Sequence, residues 1–79
     1  MKFRLLYFAS LADCAGCAAE SVDARASDLA SLYDEVRQRH DFNLDRERLR
    51  VAVNGHIVAW DHPLNEDDEI VFLPPVSGG

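Results

Sequence analysis

One stretch of the sequence has the spacing of a long amphipathic helix, and this feature narrows the fold more than any other. Leu29, Leu32, Tyr33 and Val36 recur at intervals of three and four residues, so they line one face of a helix. Ser27 precedes them and is predicted to cap the helix N-terminus. A helix that is apolar on one face needs a second layer to cover that face. The rest of the chain must therefore supply a sheet.

Short strand-like segments make up most of the remaining chain. Turn residues separate them, and they lie at residues 2–8, 18–24, 49–53, 57–60 and 70–73. Asn54-Gly55 predicts a tight turn between two of these strands. Ser10 is predicted to cap a short second helix over residues 11–15, and Gly16 is predicted to end it. The order predicts an α+β fold in which one main helix packs on a mixed sheet of about four to five strands.

Size and charge exclude several classes of function. A chain of 79 residues forms one domain, and its apolar stretches are far shorter than the roughly 20 residues that cross a bilayer. The net charge of −6 argues against a nucleic-acid partner and favours a basic protein surface. The acidic run from Glu66 to Glu69 is interpreted as a solvated turn. No secretory signal is recognisable, so we expect a cytoplasmic protein.

Cys14 and Cys17 have the C-x-x-C spacing of some metal and redox sites. A structural zinc site needs four ligands, however, and His40, His56 and His62 lie far from the cysteines in the sequence. We therefore expect no metal site and interpret the cysteines as small buried hydrophobes. The chain also lacks a phosphate-binding glycine-rich motif and a nucleophile beside an evident base. We expect it to bind no cofactor and not to be catalytic alone.

The carboxyl end holds the strongest functional signal. The apolar segment 70–73 runs into Pro74-Pro75, and proline has no N–H with which to extend a sheet. Residues 1–75 are therefore predicted to form the domain and residues 76–79 a flexible tail. Glycine leaves the terminal carboxylate of Gly79 uncrowded and lets the backbone approach another surface closely. Fully extended, residues 74–79 span roughly 20 Å, which is enough to enter a partner's active site.

Four segments are distinctive in their sequence: Ala52-Val53-Asn54, Asp61-His62-Pro63-Leu64, Asp68-Glu69-Ile70 and Phe72-Leu73-Pro74-Pro75-Val76-Ser77-Gly78-Gly79. With them the whole chain resembles the MoaD family of ubiquitin-like β-grasp sulfur carriers. The resemblance implies that a MoeB-like activating enzyme uses ATP to adenylate Gly79, which is then converted to a thiocarboxylate. It also implies that the tail, with Gly78 in a narrow channel, delivers sulfur to cyclic pyranopterin monophosphate in the large subunit of molybdopterin synthase.

The resemblance also implies a surface on which these partners dock. The apolar docking patch of the family corresponds to Phe8, Ile57 and Leu73. Burial in the core is the alternative interpretation of all three residues. The segment before the terminal glycines is also expected to contact the partner, at Pro74, Pro75, Val76 and Ser77.

Two positions depart from the family pattern. Asp67 stands where a turn glycine is common, and aspartate tolerates a left-handed backbone better than most residues do. Cys14 stands where an aliphatic core residue is usual, which supports the interpretation that its side chain is buried. Neither departure is expected to prevent the fold.

Other functions stay open beside the molybdopterin pathway. A sulfur carrier for thiamine or cysteine synthesis would use the same tail chemistry, and a ubiquitin-like modifier would form isopeptides through Gly79. A plain β-grasp interaction module would leave the terminus inert. The Pro-Pro-Val-Ser-Gly-Gly ending favours the molybdopterin pathway, with a heterotetramer of small and large subunits as the expected assembly.

Overall fold

The computed structural model of the chain describes residues 1–75. Its elements, in chain order, are β1 (Lys2–Tyr7), α1 (Ser10–Ala15), β2 (Ala19–Asp23), α2 (Leu29–His40), a 3₁₀ helix (Arg46–Arg48), β3 (Arg50–Val53), β4 (His56–Val58) and β5 (Glu69–Leu73). The strands form one sheet in the order β2-β1-β5-β3-β4. β1 and β5 are parallel, and the other neighbouring strands are antiparallel. The predicted α+β β-grasp fold, with one main and one short helix, is confirmed.

The core is built from one face of the sheet and the apolar face of α2. β1 contributes Phe3, Leu5 and Tyr7, and β5 contributes Ile70 and Phe72. Each of these side chains is at most 2% exposed, because alternate residues of a strand point to the same face. The four residues of the predicted apolar helix face are all buried as well. The spacing in the sequence therefore identified the packed face of the helix correctly.

Three turns depend on residues with a left-handed backbone. Asn54 and Gly55 have φ angles of 51° and 90° and connect β3 to β4 in the predicted tight turn. Gly16 ends α1 at φ 76°, and its N–H donates to the carbonyl oxygen of Ala12 over 3.0 Å. Asp67 has a φ of 67°, so aspartate does occupy the left-handed turn position. The turn predictions are confirmed.

The two predicted helix N-caps were each wrong by one residue. The cap of α2 is Asp28, whose carboxylate accepts a hydrogen bond from the N–H of Ser31 over 2.9 Å, and not Ser27. Asp28 has the extended backbone of a cap, so the helix begins one residue later than predicted. Ser10 is the first residue of α1, and Ala9 is the residue that precedes the helix. Caps are difficult to assign from sequence when two polar residues stand side by side.

Cys14 is exposed, so the prediction that it is buried was wrong. It lies where the last turn of α1 meets the end of α2, and its Sγ is 3.2 Å from the carbonyl oxygen of His40. Water reaches this rim of the core. Cys17 is half-buried and packs against the core. Within residues 1–75, no group of three or more His, Cys, Asp or Glu side chains is arranged to hold a metal ion, and no helix is long and apolar enough to span a membrane.

Candidate functional site

The carboxyl end of β5 brings the chain to the edge of the folded domain. Leu73 is the last strand residue and pairs with Arg50 of β3. The ladder stops there because Pro74 and Pro75, which follow, have no backbone N–H to donate. Pro74 is half-buried and Pro75 is exposed. The predictions for the last four residues lie outside the described part of the chain, at Val76, Ser77, Gly78 and Gly79.

An apolar row crosses the sheet on the face that points away from the core. Leu6 pairs with Ala19 on one side and with Val71 on the other, Val71 pairs with Ala52, and Ala52 pairs with Ile57. Residues that pair directly across strands point to the same side of a sheet. The row therefore includes one residue from each of the five strands. No single segment of the sequence shows it, because each strand contributes only one member.

Two of the three predicted docking residues are exposed. Phe8 is 51% exposed and Ile57 is 59% exposed, while Leu73 is half-buried. Burial in the core is therefore ruled out for Phe8 and Ile57. Phe8 directly follows Tyr7, which pairs with Phe72, so it lies at the same end of the sheet as Leu73. The exposure of Phe8 and Ile57 is compatible with the predicted docking patch, whose role stays a prediction.

The amino end of β5 is held by a buried carboxylate. Asp68 is 7% exposed and accepts hydrogen bonds from the side-chain amide of Asn54 and the backbone N–H of Asn65, each over 2.9 Å. The amide oxygen of Asn54 accepts in turn from the N–H of Glu69 over 3.0 Å. The prediction that the acidic run is simply a solvated turn was therefore wrong for Asp68. One of its members connects the β3–β4 turn to the strand that carries the tail.

A second polar network connects β1 and β2 to the end of α2. Glu20 Oε2 accepts a hydrogen bond from the hydroxyl of Tyr7 over 2.5 Å and lies 2.5 Å from His40 Nε2. Burial raises the pKa of Glu20, but the hydrogen bonds from Tyr7 and His40 outweigh it and hold that pKa below its ordinary value. Burial, followed by the hydrogen bond to Glu20, raises the pKa of Tyr7, so the phenol stays protonated. The network therefore joins β1, β2 and the end of α2 through one carboxylate.

Sequence reasoning did not identify either network. Apart from Asn65 and Asp68, the hydrogen-bonded pairs lie 13 to 20 residues apart in the chain, as with Tyr7 and Glu20. The only signal in the sequence was that Asn54 and Asp68 both fall in segments singled out as distinctive. Neither segment by itself indicates that the two side chains meet.

The fold and the tail can be compared with known proteins. The sequence profile of the ThiS family matches residues 5–79, which is nearly the whole chain. The chain belongs to the ThiS family. It is 34% identical over 79 residues to the molybdopterin synthase sulfur carrier subunit of Escherichia coli, and the match covers 96% of this chain and 98% of the relative. The predicted resemblance to the β-grasp sulfur carriers is thereby confirmed.

Solved structures of similar proteins support the fold of this ThiS-family chain. The crystal structure of SAMP1 from Haloferax volcanii is 27% identical, covers the whole of both chains and superposes with a TM-score of 0.80. A protein–protein complex of subunits 1 and 2 of the molybdopterin-converting factor from Helicobacter pylori contains a chain that is 24% identical. It also covers the whole of both chains, with a TM-score of 0.69, and shows the same fold.

Proposed function

We propose that this chain is the sulfur carrier subunit of a molybdopterin synthase and that Gly79 carries the sulfur. The observation on which the proposal depends is the ThiS-family match over residues 5–79, which includes the Gly-Gly ending. The similarity to the E. coli subunit over nearly the full length of both chains supports the molybdopterin pathway. The exposure of Phe8, at the end of the sheet where the tail begins, and of Ile57 on its open face supports docking on a partner.

The chemistry of the tail takes place on partner proteins. A carboxylate is a poor electrophile because its oxygen is a poor leaving group. Attack of the Gly79 carboxylate on the α-phosphate of ATP forms an acyl-adenylate and releases pyrophosphate. A sulfur nucleophile then displaces AMP and leaves a thiocarboxylate. The chain has no phosphate-binding glycine-rich motif, so an activating enzyme supplies the ATP site.

Delivery of the sulfur requires a second partner, the large subunit. The structure of the H. pylori complex supports such a pairing. Phe8, Ile57 and Leu73 would contact its surface while the tail enters its active site. Fully extended, the four residues after Pro75 reach roughly 13 Å. Cyclic pyranopterin monophosphate bound at that depth receives the sulfur, and hydrolysis returns Gly79 to a carboxylate.

A second candidate function is that of a ubiquitin-like protein modifier. The structural similarity to SAMP1, the small archaeal modifier protein 1 of H. volcanii, favours it as the alternative at 27% identity. The two functions share the adenylation step and differ in what attacks the activated carbonyl. In the modifier an amine attacks and an isopeptide forms, so conjugates in a lysate would withstand boiling and reductant.

Intact mass spectrometry tests the proposed function. The chain is incubated with an activating enzyme of the sulfur-carrier type, ATP and a sulfur source, and then with the large subunit and the pterin. We expect one terminal oxygen to be replaced by sulfur and the sulfur to be lost on transfer. The matched control lacks Gly79 and is expected to keep its fold and partner binding. The proposal is refuted if no sulfur is gained, or if a form with an amidated C-terminus still supports synthesis of the cofactor.

A further inference from the structure

Positive charge is concentrated around the point where the tail leaves the domain. Although the net charge of the chain is −6, Arg46, Arg48 and Arg50 fall within five residues that lead into β3. Arg50 pairs with Leu73, the last residue of β5. The acidic run directly precedes β5 and includes its first residue, Glu69, roughly 13 Å from the tail end of the strand. Composition alone does not show this separation.

None of these three arginines takes part in an ion pair within residues 1–75, and two of them are exposed. Arg48 and Arg50 are exposed and take part in none of the ion pairs of that part of the chain. By contrast, Arg37 lies 3.1 Å from Asp45. The guanidinium of Arg46 lies over the ring of Trp60, 6.0 Å from its centre. Arg48 and Arg50 are therefore the guanidinium groups near the tail that are available to a partner.

Both arginines border the path that a partner must cover to take up the tail. An open depression is lined by residues 47–50 on one side and by Leu73, Pro74 and Pro75 on the other. Two arginines and one acidic residue, Glu47, are among its lining residues, so the formal charge of its lining is positive. Any protein that draws the tail into a channel has to place the rim of that channel against this depression.

We propose that Arg50 and Arg48 bind carboxylates on the rim of the tail channel of the large subunit. The inference depends on the proposed function and adds the chemistry of the partner surface. A guanidinium forms two parallel hydrogen bonds with a carboxylate, and an apolar neighbour such as Leu73 strengthens the pair by excluding water. Four residues separate Pro75 from the terminal carboxyl group, and when extended they reach roughly 13 Å, so we assign the arginines to positioning the tail and not to the reaction.

This inference revises the expectation from net charge. An overall charge of −6 favours a basic partner, whereas the surface around the tail favours an acidic one. The rim of the channel is therefore expected to carry aspartate or glutamate even if the rest of the large subunit is basic. Salt should weaken the complex by screening these pairs.

The test measures binding of the full-length chain to the large subunit at low and high ionic strength. We expect Arg50→Glu to weaken binding at low salt by about tenfold, and Arg48→Gln with Arg50→Gln to reduce the dependence of Kd on salt. Arg25→Gln is the matched control, because Arg25 is also exposed but lies after β2, at the opposite end of the sheet from Leu73. Urea unfolding should be unchanged in all the variants.

Sulfur transfer from the preformed thiocarboxylate separates this inference from the proposed function. We expect Arg50→Glu to raise the concentration needed for half-maximal transfer about tenfold and to leave the maximal rate unchanged. If the Arg50 and Arg48 variants bound the large subunit as the wild-type chain does, with the same dependence on salt, the inference would be overturned. The proposed function would not be affected by that result. The inference would also be overturned if the variants bound the activating enzyme more weakly but bound the large subunit normally. Absence of transfer by the wild-type chain would instead refute the proposed function.

Discussion

Ile57 offers the clearest separation between docking and folding. It is 59% exposed on β4 and pairs with Ala52 in the apolar row of the sheet. The next residue, Val58, points to the opposite face, where it packs against the core and pairs with Val51. Replacing each of the two by threonine keeps a β-branched side chain in the strand. The same substitution to threonine is thus made on each of the two faces of one strand.

The expected magnitudes follow from exposure. Ile57→Thr removes two apolar groups, each contributing about 0.8 kcal/mol when fully buried, and we scale this by the fraction of Ile57 that a partner can still cover. The loss is about 1 kcal/mol of binding free energy, or about fivefold in Kd for the large subunit. Stability should change by less than about 0.5 kcal/mol because the side chain is already in water. Val58→Thr should instead lower the free energy of unfolding by about 1 kcal/mol, since a hydroxyl then faces the core.

Isothermal titration calorimetry with the large subunit and urea denaturation of the free chain provide the two measurements. Ile57→Thr is expected to change only the first, and Val58→Thr only the second. If Ile57→Thr bound the large subunit as tightly as the wild-type chain, the open face of the sheet would not be the docking surface. If it lowered the free energy of unfolding as much as Val58→Thr does, the assignment of faces would be wrong.

Three further predictions concern the fold that carries the tail. Asp68→Ala removes a buried carboxylate that accepts two hydrogen bonds, so the free energy of unfolding should fall by about 2–4 kcal/mol in urea titrations, and wild-type stability would contradict the role given to its network. Gly55→Ala places a side chain at a φ of 90° and should cost about 1–2 kcal/mol in thermal unfolding, whereas no loss would mean that the turn adopts another backbone. The folded-state pKa of Glu20 lies below its ordinary value of 4.5, so the stabilisation by its carboxylate is present above pH 4.5 and is lost as the pH falls through the folded pKa. Glu20→Gln should therefore lose stability less steeply with acid below pH 4.5 than the wild-type chain, and equal pH profiles would show that Glu20 is not the group responsible.

Much of the candidate site could be predicted because its parts are local. A Pro-Pro pair cannot donate to strand pairing, since neither residue has an N–H, and β5 does end at Leu73. The family resemblance pointed to Phe8 and Ile57, and the structure shows that both side chains are exposed. Their role in docking stays a prediction, as does the chemistry of the tail.

The sequence by itself determined the elements whose pattern is repeated within a few residues. The apolar spacing of α2 and the Asn54-Gly55 turn are of this kind, because helix periodicity and backbone preference act over one or two turns of chain. Only the tertiary structure decided which distant residues meet. Strand pairing aligns the apolar row across the sheet and brings Arg50 beside Leu73. The same packing leaves Cys14 in water. Register and burial depend on all the strands together, so no local segment of the sequence contains them.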